Sequence, residues 1–121
     1  PSGIEGMICL YEVCEVLKET HGLNMKSGIH YHIDFTDCFD KVTQKFIRDN
    51  NDWVLNSLKS WNYTGQYNKW ICSTSKTAVK YHYRYKTVEF RIGEMSFDYE
   101  LLIKRIIHAQ NISRKLKANL V

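Results

Sequence analysis

The chain has 121 residues, 44% hydrophobic and 25% charged, with a formal net charge of +4, the size and mix of one ordinary globular domain. It holds no apolar run near the ~18 residues a membrane span needs and no basic-then-apolar leader, so neither a span nor a signal peptide is expected and a soluble, cytoplasmic protein is the default. Its four cysteines, Cys9, Cys14, Cys38 and Cys72, show no CxxC pairing or disulfide-domain density and are read as free thiols without chemistry.

Ser2 followed three places on by Glu5 is a capping box for a first helix. Met7, Leu10, Cys14 and Leu17, flanked by Ile4, Val13 and Val16, give it an apolar stripe through about Lys18, and His21-Gly22 is expected to end it.

The next stretch, Ser27 to Phe35, alternates. Ile29, Tyr31, Ile33 and Phe35 fall on one side of a strand, His30, His32 and Asp34 on the other, with ~7 Å between successive side chains of a face. Asp37 is then a plausible cap for a helix from about Cys38 to Asp49, and a second helical pattern runs from Asp52 to Trp61, burying Trp53, Leu55 or Val54, and Leu58. Asn62 to Lys69 reads as a long loop, with Tyr67, Asn68 and Lys69 either lining a pocket or lying on a plain surface.

Ala78 to Tyr85 alternates again, with Lys80, His82, Arg84 and Lys86 on a basic face that suits an edge strand. The Thr87-to-Ile92 strand follows so closely that the two are either one bent strand or a tight pair. In the second, Val88, Phe90 and Ile92 point inward and Glu89 and Arg91 outward. Ser96 is the expected cap of a final helix of about 22 residues whose buried side is Tyr99, Leu102, Ile103, Ile106, Ile107, Gln110, Ile112 and Leu116. The fold class is therefore α+β with few strands.

Should the two motif strands share a sheet, His30, His32, Glu89 and Arg91 converge on one surface. An HxH pair projects two imidazoles the same way and suits a metal once a neighbour adds a third ligand. Glu89 and Arg91, two apart, would let a carboxylate hold Mg²⁺ while the guanidinium fork meets phosphate oxygens. Neither a P-loop nor a dinucleotide-binding glycine pattern is present, so any nucleotide must be held from the sheet face. A cupin is not expected: the glutamate it needs after the second histidine is missing and so are most of its strands.

Ser-Gly-Ile-His-Tyr-His-Ile-Asp at 27–34, followed much later by Thr-Val-Glu-Phe-Arg at 87–91 and a helix led by an aromatic and an aspartate, resembles the amidoligase family, the small relatives of glutamine synthetase. Pro1 to Gly6 resembles the segment after that family's second strand, while about Phe39 to Thr77 matches weakly. The resemblance implies a partial glutamine-synthetase-like domain: a few-stranded antiparallel sheet with helices packed on one face. It implies an ATP-dependent carboxylate–amine ligase working through an acyl phosphate, with ATP and Mg²⁺ as cofactors and small-molecule or peptide carboxylates and amines as substrates. Carried over by position, His30 and Glu89 would be metal ligands, His32 a nucleotide-phosphate contact, and Arg91 the catalytic phosphate clamp.

The family begins with two strands bearing metal-binding acidic residues, ahead of the segment that Pro1 matches. Residues 1–121 are accordingly expected to form a single incomplete domain: a fragment, a chain completed by a protein partner that extends the sheet, or an inactive relative. A non-catalytic assembly or binding protein that kept the fold is the first alternative. The second is a nucleic-acid module using Lys80, His82, Arg84 and the basic residues Lys104, Arg105, Arg114, Lys115 and Lys117. A solvated helix face explains those cations equally well, and with no recognised motif nucleic acid is not the expected partner.

Overall fold

The structure, a computed structural model, describes residues 3–20, 30–58, 77–91 and 96–120. Its elements are α1 (Gly3–Thr20), β1 (Tyr31–Asp34), a single 3₁₀ turn (Phe39–Lys41), α2 (Gln44–Ser57), β2 (Val79–His82), β3 (Thr87–Phe90) and α3 (Tyr99–Ala118). The strands form one antiparallel sheet in the order β1-β3-β2, so β2 and β3 are the tight pair, joined through residues 83–86. Register sets Tyr31, His32, Ile33 and Asp34 opposite Phe90, Glu89, Val88 and Thr87. On the other edge Val79, Lys80, Tyr81 and His82 face the same four residues.

Strand alternation divides the sheet into two faces. Tyr31, Val79, Val88 and Phe90 are buried on one, with Phe35 just beyond β1. The helices cover this side: α3 packs on β1, α2 on β2 and α3, and α1 on α3. His30, His32, Asp34, Lys80, His82, Thr87, Glu89 and Arg91 belong to the opposite face by parity. This is an α+β domain with an antiparallel sheet and helices on one face. No helix among the described residues is long and apolar enough to cross a membrane.

Helical boundaries depart from the periodicity in instructive ways. Asp37 caps nothing; its carboxylate meets Lys117 at 3.1 Å, and only the 3₁₀ turn follows. The cap of α2 is Thr43, whose hydroxyl accepts from the Phe46 N–H at 3.1 Å. The helix then runs unbroken through Asn50-Asn51, where two separate helices were expected. Side chains of asparagine normally compete with a helix by bonding the nearby backbone in other conformations, but here both are occupied. Asn50 donates to the Phe46 carbonyl and accepts from Trp53 Nε1 at 2.7 Å and Asn119 Nδ2 at 2.9 Å. Asn51 accepts from the Ala78 N–H at 2.8 Å, tying α2 to the start of β2.

Asp98 rather than Ser96 caps α3, accepting from the N–H groups of Glu100 and Leu101; Ser96 in turn accepts from the Asp98 N–H. The buried side of α3 is Leu102, Arg105, Ala109, Ile112, Ser113 and Leu116, while Ile107, expected inside, is exposed. In α1 only Cys14 is fully buried; Ile4, Val13 and Val16 face outward because the helix touches α3 along a narrow strip. Tyr11 meets Tyr99 edge-on across that contact, centroids 5.2 Å apart. The described cysteines, Cys9, Cys14 and Cys38, are free. The Ser2 capping box, the His21-Gly22 stop, Ile92 and the loop with Tyr67, Asn68 and Lys69 lie outside the described residues.

Candidate functional site

The register that sets His32 opposite Glu89 brings two histidines onto one carboxylate. Nδ1 of His30 lies 2.9 Å from Glu89 Oε1, and Nε2 of His32 lies 3.7 Å from Glu89 Oε2. Expected to point outward, Glu89 does belong to the polar face, yet only 9% of it is exposed. A carboxylate shielded to this degree is costly unless its oxygens are engaged; the His30 imidazole engages one at bonding distance and the His32 ring stands close to the other. Arg91 follows β3 directly, and its N–H donates to the Ala78 carbonyl at 3.2 Å. Two residues past Glu89 on extended chain, it belongs to the same face.

Further residues, not singled out from the sequence as part of this site, gather around His32. Thr87 Oγ1 is 2.8 Å from His32 Nδ1. The His82 ring stands 5.3 Å from the His32 ring, and the Tyr85 ring 6.2 Å from it. His82 and Tyr85 are themselves stacked at 4.8 Å, with 23° between their planes. Thr87 and His82 have a signal in the sequence: each has the parity of the ligand-bearing face of its strand. Tyr85 has none, since it sits in the connecting turn and its ring reaches the polar face only because the turn folds it back.

Asp34, on the same face, is occupied locally. Its Oδ1 accepts from the Thr36 N–H at 2.8 Å and from the Thr36 hydroxyl, which hold its carboxyl below the usual range. It closes a turn at the strand end.

Among the described residues no group of three or more His, Cys, Asp or Glu side chains is disposed to hold a metal ion by itself. Magnesium makes a smaller demand, keeping several waters and taking one or two carboxylates together with substrate phosphates. Glu89 fits that role. Its two oxygens carry imidazoles at contact and near-contact distance, so an ion would be shared with phosphate oxygens rather than caged by protein.

The surroundings on the apolar side are distinct. Tyr31 is buried there beside Arg105; burial pushes the phenol up, and the guanidinium partly offsets it. A cavity of about 310 Å³ lined by Trp53, Lys115, Ala118 and Asn119 lies at the end of α3, away from the polar face. Of the basic residues considered for nucleic acid, Arg105 is 4% exposed and Lys117 is engaged by Asp37 and by the Phe35 ring, 4.9 Å away. Arg105 is therefore missing from the exposed cations of α3, which are Lys104, Arg114 and Lys115.

No protein-family model, curated protein or solved structure matches the chain.

Proposed function

We propose that this chain is an amidoligase-type domain whose polar sheet face takes Mg²⁺ and ATP to join a carboxylate to an amine. The observation that carries the reading is the seating of His30 and His32 on the two oxygens of Glu89, with Arg91 on the same face. The order of the two sequence motifs supports it as well.

In this reading a substrate carboxylate oxygen attacks the γ-phosphorus, the bond to ADP breaks, and an acyl phosphate forms. The amine then attacks the acyl carbon, phosphate leaves with its bonding electrons, and the nitrogen gives up a proton. Such transfers need positioning and charge neutralisation more than covalent help from the protein. Arg91 supplies a fixed guanidinium fork to the transferring phosphoryl group. His32 offers a ring N–H to a phosphate oxygen, and His30 and Glu89 hold the ion. Magnesium, when bound, neutralises charge on the phosphates.

The test is calorimetry of ATP binding with and without Mg²⁺ on the chain and on His30→Ala and Arg91→Ala. Expected is Mg²⁺-dependent binding weakened at least ~10-fold by Arg91→Ala, about 1.4 kcal/mol. Binding that is absent, or indifferent to both substitutions, removes the reading.

One observation favours a non-catalytic assembly role instead: α1 presents Ile4, 79% exposed, together with Ile8, Val13 and Val16 to its surroundings, and apolar surface of this kind invites a partner. Self-association on sedimentation without any response of thermal stability to nucleotide would favour it.

A further inference from the structure

A hairpin-turn side chain ordinarily points away from its sheet, and Tyr85 does not. Its ring lies back over the polar face, stacked on His82 and edge-on to His32. These contacts fix the ring in place while leaving the residue 58% exposed. Arg84 brings its guanidinium carbon to 5.6 Å from the ring centroid, within cation–π range. An exposed aromatic ring with a long, exposed guanidinium side chain over it takes up a flat heteroaromatic ligand when that side chain swings aside, since every base has a π-face.

Position along the sheet says which ligand. Going back along the chain from Arg91 come Glu89, Thr87 and then Tyr85, with His32 beside Glu89 and Thr87. The His32 ring lies between the two, its Nε2 3.7 Å from Glu89 and its centroid 6.2 Å from that of Tyr85, so a ligand stacked on Tyr85 reaches the carboxylate by passing one imidazole. Phosphate-seeking groups stand at one end and a ring platform at the other.

We propose that Tyr85, braced by His82 and flanked by Arg84, is the stacking platform for the base of a nucleoside triphosphate whose phosphates run past His32 toward Glu89 and Arg91. This rests on the nucleotide reading of the sheet face and assigns its direction. A single-stranded nucleic acid would also stack on such a ring, but the Glu89 carboxylate beside His30 and His32 lies on this face and suits a metal-bound polyphosphate better than a run of backbone phosphates.

The experiment compares ATP with inorganic tripolyphosphate, both with Mg²⁺, on the chain and on Tyr85→Ala, Tyr85→Phe and Arg84→Ala, each first checked for an unchanged thermal transition. Expected is ATP binding tighter than tripolyphosphate, a loss of about tenfold in ATP affinity in Tyr85→Ala, retention in Tyr85→Phe, and tripolyphosphate binding the same in all four proteins. Equal affinity for ATP and tripolyphosphate, or an ATP affinity that Tyr85→Ala leaves intact, overturns the platform while sparing the phosphate site. If neither ligand binds the unsubstituted chain, the nucleotide reading falls and the platform falls with it. Tighter binding of a single-stranded oligonucleotide than of ATP, lost in Tyr85→Ala, also overturns the proposal.

Discussion

The Thr87 hydroxyl lies 2.8 Å from Nδ1 of His32, on the opposite side of the ring from the Nε2 atom that faces Glu89 at 3.7 Å. A neutral imidazole carries one proton, and a lone pair turned toward a carboxylate is repulsive. The favourable arrangement has Thr87 donating to Nδ1, which keeps the proton on Nε2. Thr87 thus orients a ring N–H toward the Glu89 carboxylate.

Thr87→Val keeps the branched shape and removes the donor. In a ¹⁵N spectrum taken where the imidazole is neutral, the unsubstituted chain and Thr87→Ser should show His32 protonated at Nε2, and Thr87→Val a mixture of both forms. An Nδ1-protonated ring in the unsubstituted chain rejects the assignment.

Asn50 holds the α2–α3 junction together, bonding the Phe46 carbonyl, Trp53 and Asn119 at once. Asn50→Ala strands the Trp53 donor in a part-buried site and should cost about 2 kcal/mol in urea unfolding. A loss under ~0.5 kcal/mol would show that solvent replaces the network.

Lys86 has a φ of 53°, a left-handed conformation that costs a residue with a Cβ about 1–2 kcal/mol and glycine almost nothing. Lys86→Gly should therefore raise stability by about 0.5–1 kcal/mol, part of the gain being cancelled by the freer unfolded chain. A lowered melting temperature contradicts this.

His108 is held below its ordinary value of 6.5, first by burial and then by the Lys115 charge. The unfolded chain therefore takes up this proton at a higher pH than the folded one. Stability from this residue is full above about 6.5 and falls as pH drops through the interval between the two values. His108→Gln should flatten the thermal-stability profile over that interval; an unchanged slope rules His108 out as its source.

Alternation made the two faces of β1 and β3 readable from residue identity, because a strand's period of two assigns every side chain to a side. The shared face of His30, His32, Glu89 and Arg91 was legible for that reason. Which strands are neighbours was not: placing β3 between β1 and β2 depends on pairing that no local pattern encodes, and only this order brings His82 alongside Thr87 and His32. The helices were harder. Asn50 and Asn51 read as a break because a sequence shows their propensity and not their distant partners Asn119 and Ala78. Arg105 read as surface charge, whereas its flanking apolar residues carry it into the α3 interface.

Both edges of β3 are bonded into the sheet, so the strand that bears Glu89 is the most firmly anchored in it. Any rearrangement at the carboxylate therefore falls to the rings of His32, on the outer β1 strand, and of His30 just ahead of it, with the carboxylate as a fixed reference point. In amide exchange the backbone around Glu89 should open last, even while the imidazoles beside it change partners.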